Sequence, residues 1–289
     1  MTYKNLIYER DGYIARIIFN RPQKMNAISL ETTRELDKAL SEAAEDDEVK
    51  VIIFKGAGRC FCAGFDLSEA GFIYGMKEPK SGEKATSRPS QRIRLRLDRF
   101  TQGELLRHVM LCPKVTIVQA HGYCLGGGIM LAEKCDLILA SEDCQIGFAE
   151  ERLGTGGITM SPMLVLRVGL TKALELQITG KLINGKEAEQ IKLINRAVPA
   201  DNLEAEVEEL ARAISLYSRD GLAIAKVSRQ SVYDMLGVTQ WFTTSYWTHT
   251  LFTNMKWEPD EYNFFKERRN KGTTSAAHEK QDFYKALDK

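Results

Sequence analysis

Histidine is scarce in this 289-residue chain: His108, His121, His249 and His278 are the only four, and no short spacing gathers them around a metal ion. The six cysteines, Cys60, Cys62, Cys112, Cys124, Cys135 and Cys144, have no metal-ligand spacing with those histidines. Cys60 and Cys62 also lie too close together in an extended turn for an ordinary structural disulfide, so small buried thiols are expected. A net charge of only +1 excludes wholesale attraction to nucleic acid or to an anionic membrane surface. No segment approaches the roughly 20 consecutive apolar residues of a membrane helix. The stretch Met1 to Tyr8 has neither the apolar run of a signal peptide nor the Arg/Ser-rich character of a transit peptide, so a cytoplasmic location is expected. There is no internal repeat. What the chain does have is core-forming material: 44% of it is hydrophobic, enough for one large domain or two small ones.

The most informative stretch is His121-Gly122-Tyr123-Cys124-Leu125-Gly126-Gly127-Gly128. It follows an apolar strand, Val115 to Ala120, and precedes a short predicted helix, Ile129 to Lys134. Glycines at such a junction leave the first helical N–H groups uncovered, free to point at an oxygen that gains negative charge. A tight turn without chemistry has the same pattern. A second unit repeats it: the strand Val51 to Gly56 leads into Arg59-Cys60-Phe61-Cys62-Ala63-Gly64-Phe65-Asp66-Leu67. Two such turns can present two N–H groups to one carbonyl oxygen, the minimum for an oxyanion hole. Upstream, Tyr13 to Asn20 reads as a strand, Leu30 to Ala44 as a helix and Val49 to Lys55 as the next strand.

Together with Asn20-Arg21-Pro22-Gln23-Lys24-Met25-Asn26-Ala27-Ile28, these segments make the chain resemble the crotonase (enoyl-CoA hydratase/isomerase) superfamily. The resemblance runs from about Tyr8 to about Pro199, and includes Lys134 to Ala140, Ile146 to Glu150 and Thr179 to Ala188. It implies an α/β fold, a spiral of repeated β-β-α units with sheets nearly at right angles. Residues 1–200 would form the core, and 201–289 a C-terminal helical segment that builds a homotrimer or a dimer of trimers.

The resemblance also implies a site. Backbone N–H groups of Phe65 and Gly127 would hold a thioester oxygen as it becomes an enolate, each worth roughly 3 kcal/mol in a dry pocket. Asn26, Ala27 and Ile28, with Ala63, Asp66 and Leu67, would line the channel for coenzyme A, and Lys24 would stand near its mouth. Coenzyme A enters as part of the substrate, an acyl-CoA thioester, and no separate cofactor or metal is expected.

Hydratases of this family carry two glutamates. At the first position this chain has Met130, which would line the acyl pocket; the second matches Glu150, in Ala149-Glu150-Glu151-Arg152-Leu153-Gly154. A thioether can neither activate water nor deliver a proton. One carboxylate suffices to move a proton between two carbons, or to activate a water that splits a β-keto thioester. The expected activity is therefore of hydratase or isomerase type with Glu150 as sole acid/base. The alternatives are hydrolysis of a carbon–carbon bond in a cyclic or β-keto acyl-CoA, and an inactive scaffold. Glu150 can also be read as a surface acid, since Glu151 and Arg152 beside it look solvated. Glu133, one turn past Met130, is a weaker candidate for a second acid. Thr155 to Pro162 departs from the family's usual glycine-rich turn, which implies a reshaped pocket floor.

Residues 71–107 carry nine Lys/Arg (Lys77, Lys80, Lys84, Arg88, Arg92, Arg94, Arg96, Arg99, Arg107) against four acids. They read as a loop and then a helix, either solvated or with some arginines facing the phosphates of coenzyme A. Helical patterns follow at Leu203 to Tyr217 and Leu222 to Leu236. The aromatics Trp241, Phe242 and Trp247 suit a subunit contact. The tail from Gly272 to Lys289 has no assigned role.

Overall fold

The computed structural model describes residues 2–69, 90–154, 160–252, 255 and 257–288. The chain runs β1 (Leu6–Asp11), β2 (Ile14–Phe19), α1 (Leu30–Glu45), β3 (Val51–Gly56), α2 (Gln91–Asp98), a π-helical stretch (Arg99–Glu104) and α3 (Leu105–Leu111). It continues through β4 (Val115–Ala120), β5 (Tyr123–Leu125), α4 (Gly127–Ala132), β6 (Leu137–Ser141), β7 (Gln145–Gly147), a 3₁₀ turn (Ala149–Leu153), α5 (Pro162–Thr179), α6 (Gly185–Gln190) and β8 (Arg196–Val198). Five helices close it: α7 (Leu203–Ile214), α8 (Arg219–Met235), α9 (Trp241–Phe252), α10 (Phe264–Lys271) and α11 (Thr273–Phe283).

Six strands form the main sheet in the order β1-β2-β3-β4-β6-β8, antiparallel only between β1 and β2. All six residues of β4 are buried, as a parallel strand covered on both faces requires. Ile52, Phe54, Val118 and Ala120 face the main core, whereas Val51, Ile53, Val115 and Ile117 face a second cluster closed by Val207 and Ala211 of α7. Helix α1 starts where the Ser29 hydroxyl accepts the Thr32 N–H at 3.0 Å. It buries Leu36, Ala39, Leu40 and Ala43 on one face.

The second strand of each β-β-α turn forms an inner layer. Ile28 bridges Phe65, Cys62 bridges Cys124, β5 pairs with β7, and Ile146 bridges Ile183. This layer carries the loops that matter below. All six cysteines are free and buried. Among the described residues no helix is long and apolar enough to cross a membrane.

The C-terminal helices differ from the expectation drawn for their aromatics. Phe242 is buried within its own subunit, and Trp241 donates its indole N–H to the Met160 carbonyl at 2.9 Å. Helix α9 is held against α2 because Asp98, wholly buried, accepts the Thr250 hydroxyl at 2.7 Å and meets His249 at 3.1 Å. Trp247 alone of the three aromatics stays largely exposed, with Leu251 beside it.

Candidate active site

The two glycine turns meet because their strands pair. Cys62 N–H donates to the Tyr123 carbonyl and Leu125 N–H to the Cys62 carbonyl, both at 2.9 Å. Gly64 adopts φ +94°, and a Cβ there would stand 3.3 Å from Gly127 N. A Cβ on Gly127 would fall 2.9 Å from the Phe65 ring, so the ring lies flush against the glycine turn. Helix α4 begins at Gly127, two residues earlier than the sequence pattern predicts, and Gly126 at φ +50° makes the sharp entry. Among the described residues no acceptor takes the N–H of Phe65 or of Gly127. Both donors sit at the mutual approach of the turns, the arrangement an oxyanion hole needs.

The loop from Arg21 to Ile28 is laced to the first turn. Ala63 N–H donates to Met25 O at 3.0 Å, Ile28 N–H to Gly64 O at 2.8 Å and Asp66 N–H to Ile28 O at 2.9 Å. Asn26 is buried and braces the turn, donating to Ala57 O at 2.9 Å and Cys60 O at 2.8 Å. Ala27 and Ala63 are therefore brought together, and Lys24 is exposed at the end of the same loop. Asp66 is engaged internally, accepting from Arg21 at 2.9 Å and from the Ser68 hydroxyl at 2.5 Å. Burial pushes its carboxyl up, but the bonds from Ser68 and Arg21 outweigh that and hold it below the ordinary value. The brace by Arg21, which also donates to Ala27 O at 2.6 Å, escaped the sequence analysis; its place within the Asn20 to Ile28 segment was the available signal.

Glu150 reaches the glycine turn through β7. Gly126 N–H donates to Gly147 O at 3.0 Å, and three residues later the 3₁₀ turn turns the Glu150 side chain back. A Cβ on Gly126 would lie 2.8 Å from Glu150 Oε2, which makes the carboxylate the wall of that turn. The residue is partly buried overall, and both carboxylate oxygens are inaccessible. It is no surface acid. Burial, then Glu151, push its pKa up to about 8 against the opposing pull of Lys280.

Glu151 and Arg152 are not solvated: both are buried. Arg152 donates to Thr179 O at 3.0 Å and pairs with Asp288 in the tail. Glu133 is likewise wholly buried, ion-paired to Lys134, whose ammonium also donates to Ser161 Oγ at 2.8 Å and stands 4.4 Å from the Trp241 ring centre. Burial lowers the Lys134 pKa. That pair engages Glu133 Oε1, while Oε2 is buried without a hydrogen-bond partner among the described residues. Met130, also buried, belongs to the main apolar core.

The tail has a place that its sequence did not reveal. Leu153 packs with Phe264 and Ala276 in a separate cluster that Leu67, Tyr262 and Phe265 complete. Arg268 donates to the Leu67 carbonyl, and Lys280 to the Ala149 carbonyl at 3.3 Å. Lys77, Lys80, Lys84 and Arg88, and positions 155–159 of the Thr155 to Pro162 segment, lie outside the described residues. Of the remaining basic residues in that stretch, Arg94 is buried under α9, while Arg92, Arg96, Arg99 and Arg107 are exposed. Among the described residues no group of three metal-ligating side chains is assembled.

The model of the enoyl-CoA hydratase/isomerase family matches residues 9–274. The chain is 32% identical over 234 residues to a short-chain-enoyl-CoA hydratase of Clostridium acetobutylicum, covering 80% of this chain and 82% of that protein. It is 32% identical over 202 residues to a peroxisomal Δ(3,5)-Δ(2,4)-dienoyl-CoA isomerase of Arabidopsis thaliana, covering 68% and 70%. The crystal structure of an enoyl-CoA hydratase/isomerase from Xanthobacter autotrophicus superposes with a TM-score of 0.85 at 28% identity, covering 98% of this chain and 99% of that one.

Proposed function

The chain belongs to the enoyl-CoA hydratase/isomerase family, and we propose that it moves a proton within an enoyl-CoA thioester, using Glu150 as its single acid/base. The observation that carries this reading is the placement of Glu150 Oε2 against Gly126, one residue from the free N–H of Gly127. With the thioester oxygen held by the N–H groups of Phe65 and Gly127, the Glu150 carboxylate takes a proton from C2 of a 3-enoyl thioester. The charge passes to the thioester oxygen as an enolate, where the two donors stabilise it. The protonated Glu150 returns the proton at C4, giving the 2-enoyl isomer and restoring the carboxylate. No co-reactant is consumed, and coenzyme A takes part only as the thioester's carrier.

Ordinary hydration needs a second group to place water, and Met130 fills that position with an apolar side chain. Isomerisation is thus the better-supported step. The Ala27 and Ala63 segments, with Asp66 and Leu67 behind them and Lys24 at the rim, form the wall we assign to coenzyme A. The assay is a panel of 3-enoyl, 2-enoyl and β-keto CoA thioesters followed by mass spectrometry. Isomerisation of the 3-enoyl member, faster than hydration of crotonyl-CoA and lost in Glu150→Gln, is expected. Fast hydration that survives that substitution would overturn the proposal.

We also propose that the protein is a homotrimer or a dimer of trimers. The exposed Ile224, Val227 and Met235 of α8 and Leu236 just after it, with Trp247 and Leu251 of α9, supply the apolar surface for it. Light scattering giving a monomer would remove this assignment.

A further inference from the structure

The tail helices bind both halves of the site at once. Arg268 of α10 holds the carbonyl of Leu67, two residues past Phe65, and Lys280 of α11 holds the carbonyl of Ala149, the residue before Glu150. Tyr262 ties the two helices together through its hydroxyl on Ala276 O at 3.1 Å, and Asp288 secures the end of the chain on Arg152. Gly154, at φ +96°, is closed over by Trp257 and the Tyr262 carbonyl, where a Cβ would stand only 2.8 and 2.9 Å away. A segment that served only to bury apolar surface would have no use for a lysine at this seam, since lysine loses side-chain entropy and hydration when it is enclosed.

We propose that Lys280 is a positioning residue for Glu150: its hydrogen bond fixes the turn that carries the carboxylate, and its ammonium steadies the carboxylate's negative charge. The inference rests on the reading of Glu150 as the acid/base. Lys280 neither gives nor takes the proton. Among the described residues three charged groups act on Glu150: Glu151 on the same turn, Glu133 at the end of α4, and Lys280 on α11. Among the described residues the first two oppose its ionisation, while the backbone N–H of its own turn and then Lys280 favour it. Lys280 in turn is held below its ordinary pKa first by burial, with Glu150 countering that and Arg152 adding to it. A buried carboxylate with two acidic neighbours thus meets, among the described residues, a cation supplied from about 130 residues further along the chain.

The test compares Lys280→Met, which keeps the stem and removes the charge, with Lys280→Gln, which keeps a hydrogen-bond donor without charge, and with Lys280→Arg, which keeps the charge. The Glu150 carboxyl is titrated by infrared difference between each protein and the same protein carrying Glu150→Gln. Removing the charge is expected to move the Glu150 midpoint upward by about one pH unit in both neutral variants, and Lys280→Arg to restore it. The acid limb of kcat/KM should move with it. An unchanged midpoint in a folded neutral variant would overturn the proposal and leave Lys280 a structural tie. Should Lys280→Met fail to fold, Lys280→Gln carries the comparison. The infrared measurement needs no turnover, so a protein inactive on every thioester would sink the enzymatic reading while the Lys280–Glu150 coupling is still decided.

Discussion

The wall of the site made by the glycine turns and the wall made by Glu150 differ in what holds them. Around Phe65 and Gly127 the constraint is backbone: paired inner strands, a lattice of N–H to carbonyl bonds, and glycines whose missing Cβ atoms let the turns touch. Side chains there, Asn26 and Arg21, only brace the chain path. Around Glu150 the constraint is side-chain chemistry brought from afar, with Arg152, Asp288, Lys280 and the cluster of Leu153, Phe264 and Ala276 closing over a short 3₁₀ turn. A backbone device tolerates many sequences so long as its glycines stay small. A buried ionisable group depends on every charge around it, so its behaviour is set by residues that no local motif contains.

Glu150→Gln breaks the second wall at its centre and is expected to have the largest effect, a fall of about 10²–10⁴ in kcat/KM, with Glu151→Gln costing far less. On the proposed mechanism the base form of Glu150 is the active one, so in the unaltered protein kcat/KM should rise with pH through about 8, the value to which burial raises its pKa. A profile flat from pH 6 to 9 would contradict the assignment.

Gly127→Val tests the first wall. The new side chain must displace the Phe65 ring and one donor, so turnover is expected to fall by about 10²–10³, the size of a lost oxyanion donor, with the fold retained by circular dichroism. Undiminished turnover would show that the turn is only a turn.

Stability should change in the opposite sense at the two walls. The folded-state pKa of Glu150 is raised from 4.5 to about 8, so its contribution to stability is complete below pH 4.5 and is lost as pH rises through 8. Glu150→Gln removes that loss and should stabilise the protein above pH 8, on the order of 3 kcal/mol by denaturant titration, while making little difference at pH 4. Gly127→Val should destabilise at every pH. The smallest effect belongs to Asp288→Ala. Its pair with Arg152 is half-exposed on the aspartate side, so a loss below about 1 kcal/mol is expected, seen as a small fall in Tm.

Reading along the chain recovers the backbone wall well. The strands Val115–Ala120 and Val51–Gly56, the helix from Leu30, and both glycine turns stand where the periodicity and the glycines put them. Their information is local: alternation, a cap, a residue without a Cβ. Helix α4 starts two residues before its apolar periodicity does, because glycines weaken a helical pattern whose first turn is fixed by packing against Cys62 and Phe65. Glu151 and Arg152 are buried against the local pattern for a different reason. A charged pair beside a turn reads as solvated unless its partners are known, and Asp288 lies 136 positions away.

The sequence by itself determined the family and the two glycine turns, and it put a thioether at Met130 and a carboxylate at Glu150, since each depends on residue type at a fixed local spacing. Only the tertiary structure decided that Trp241 and Phe242 belong to the subunit's own core, that Glu133 is paired with Lys134, and that Lys280 donates to the turn carrying Glu150. Those outcomes depend on which distant groups share a low-dielectric interior, where a charge acts strongly on its neighbours wherever they fall along the chain.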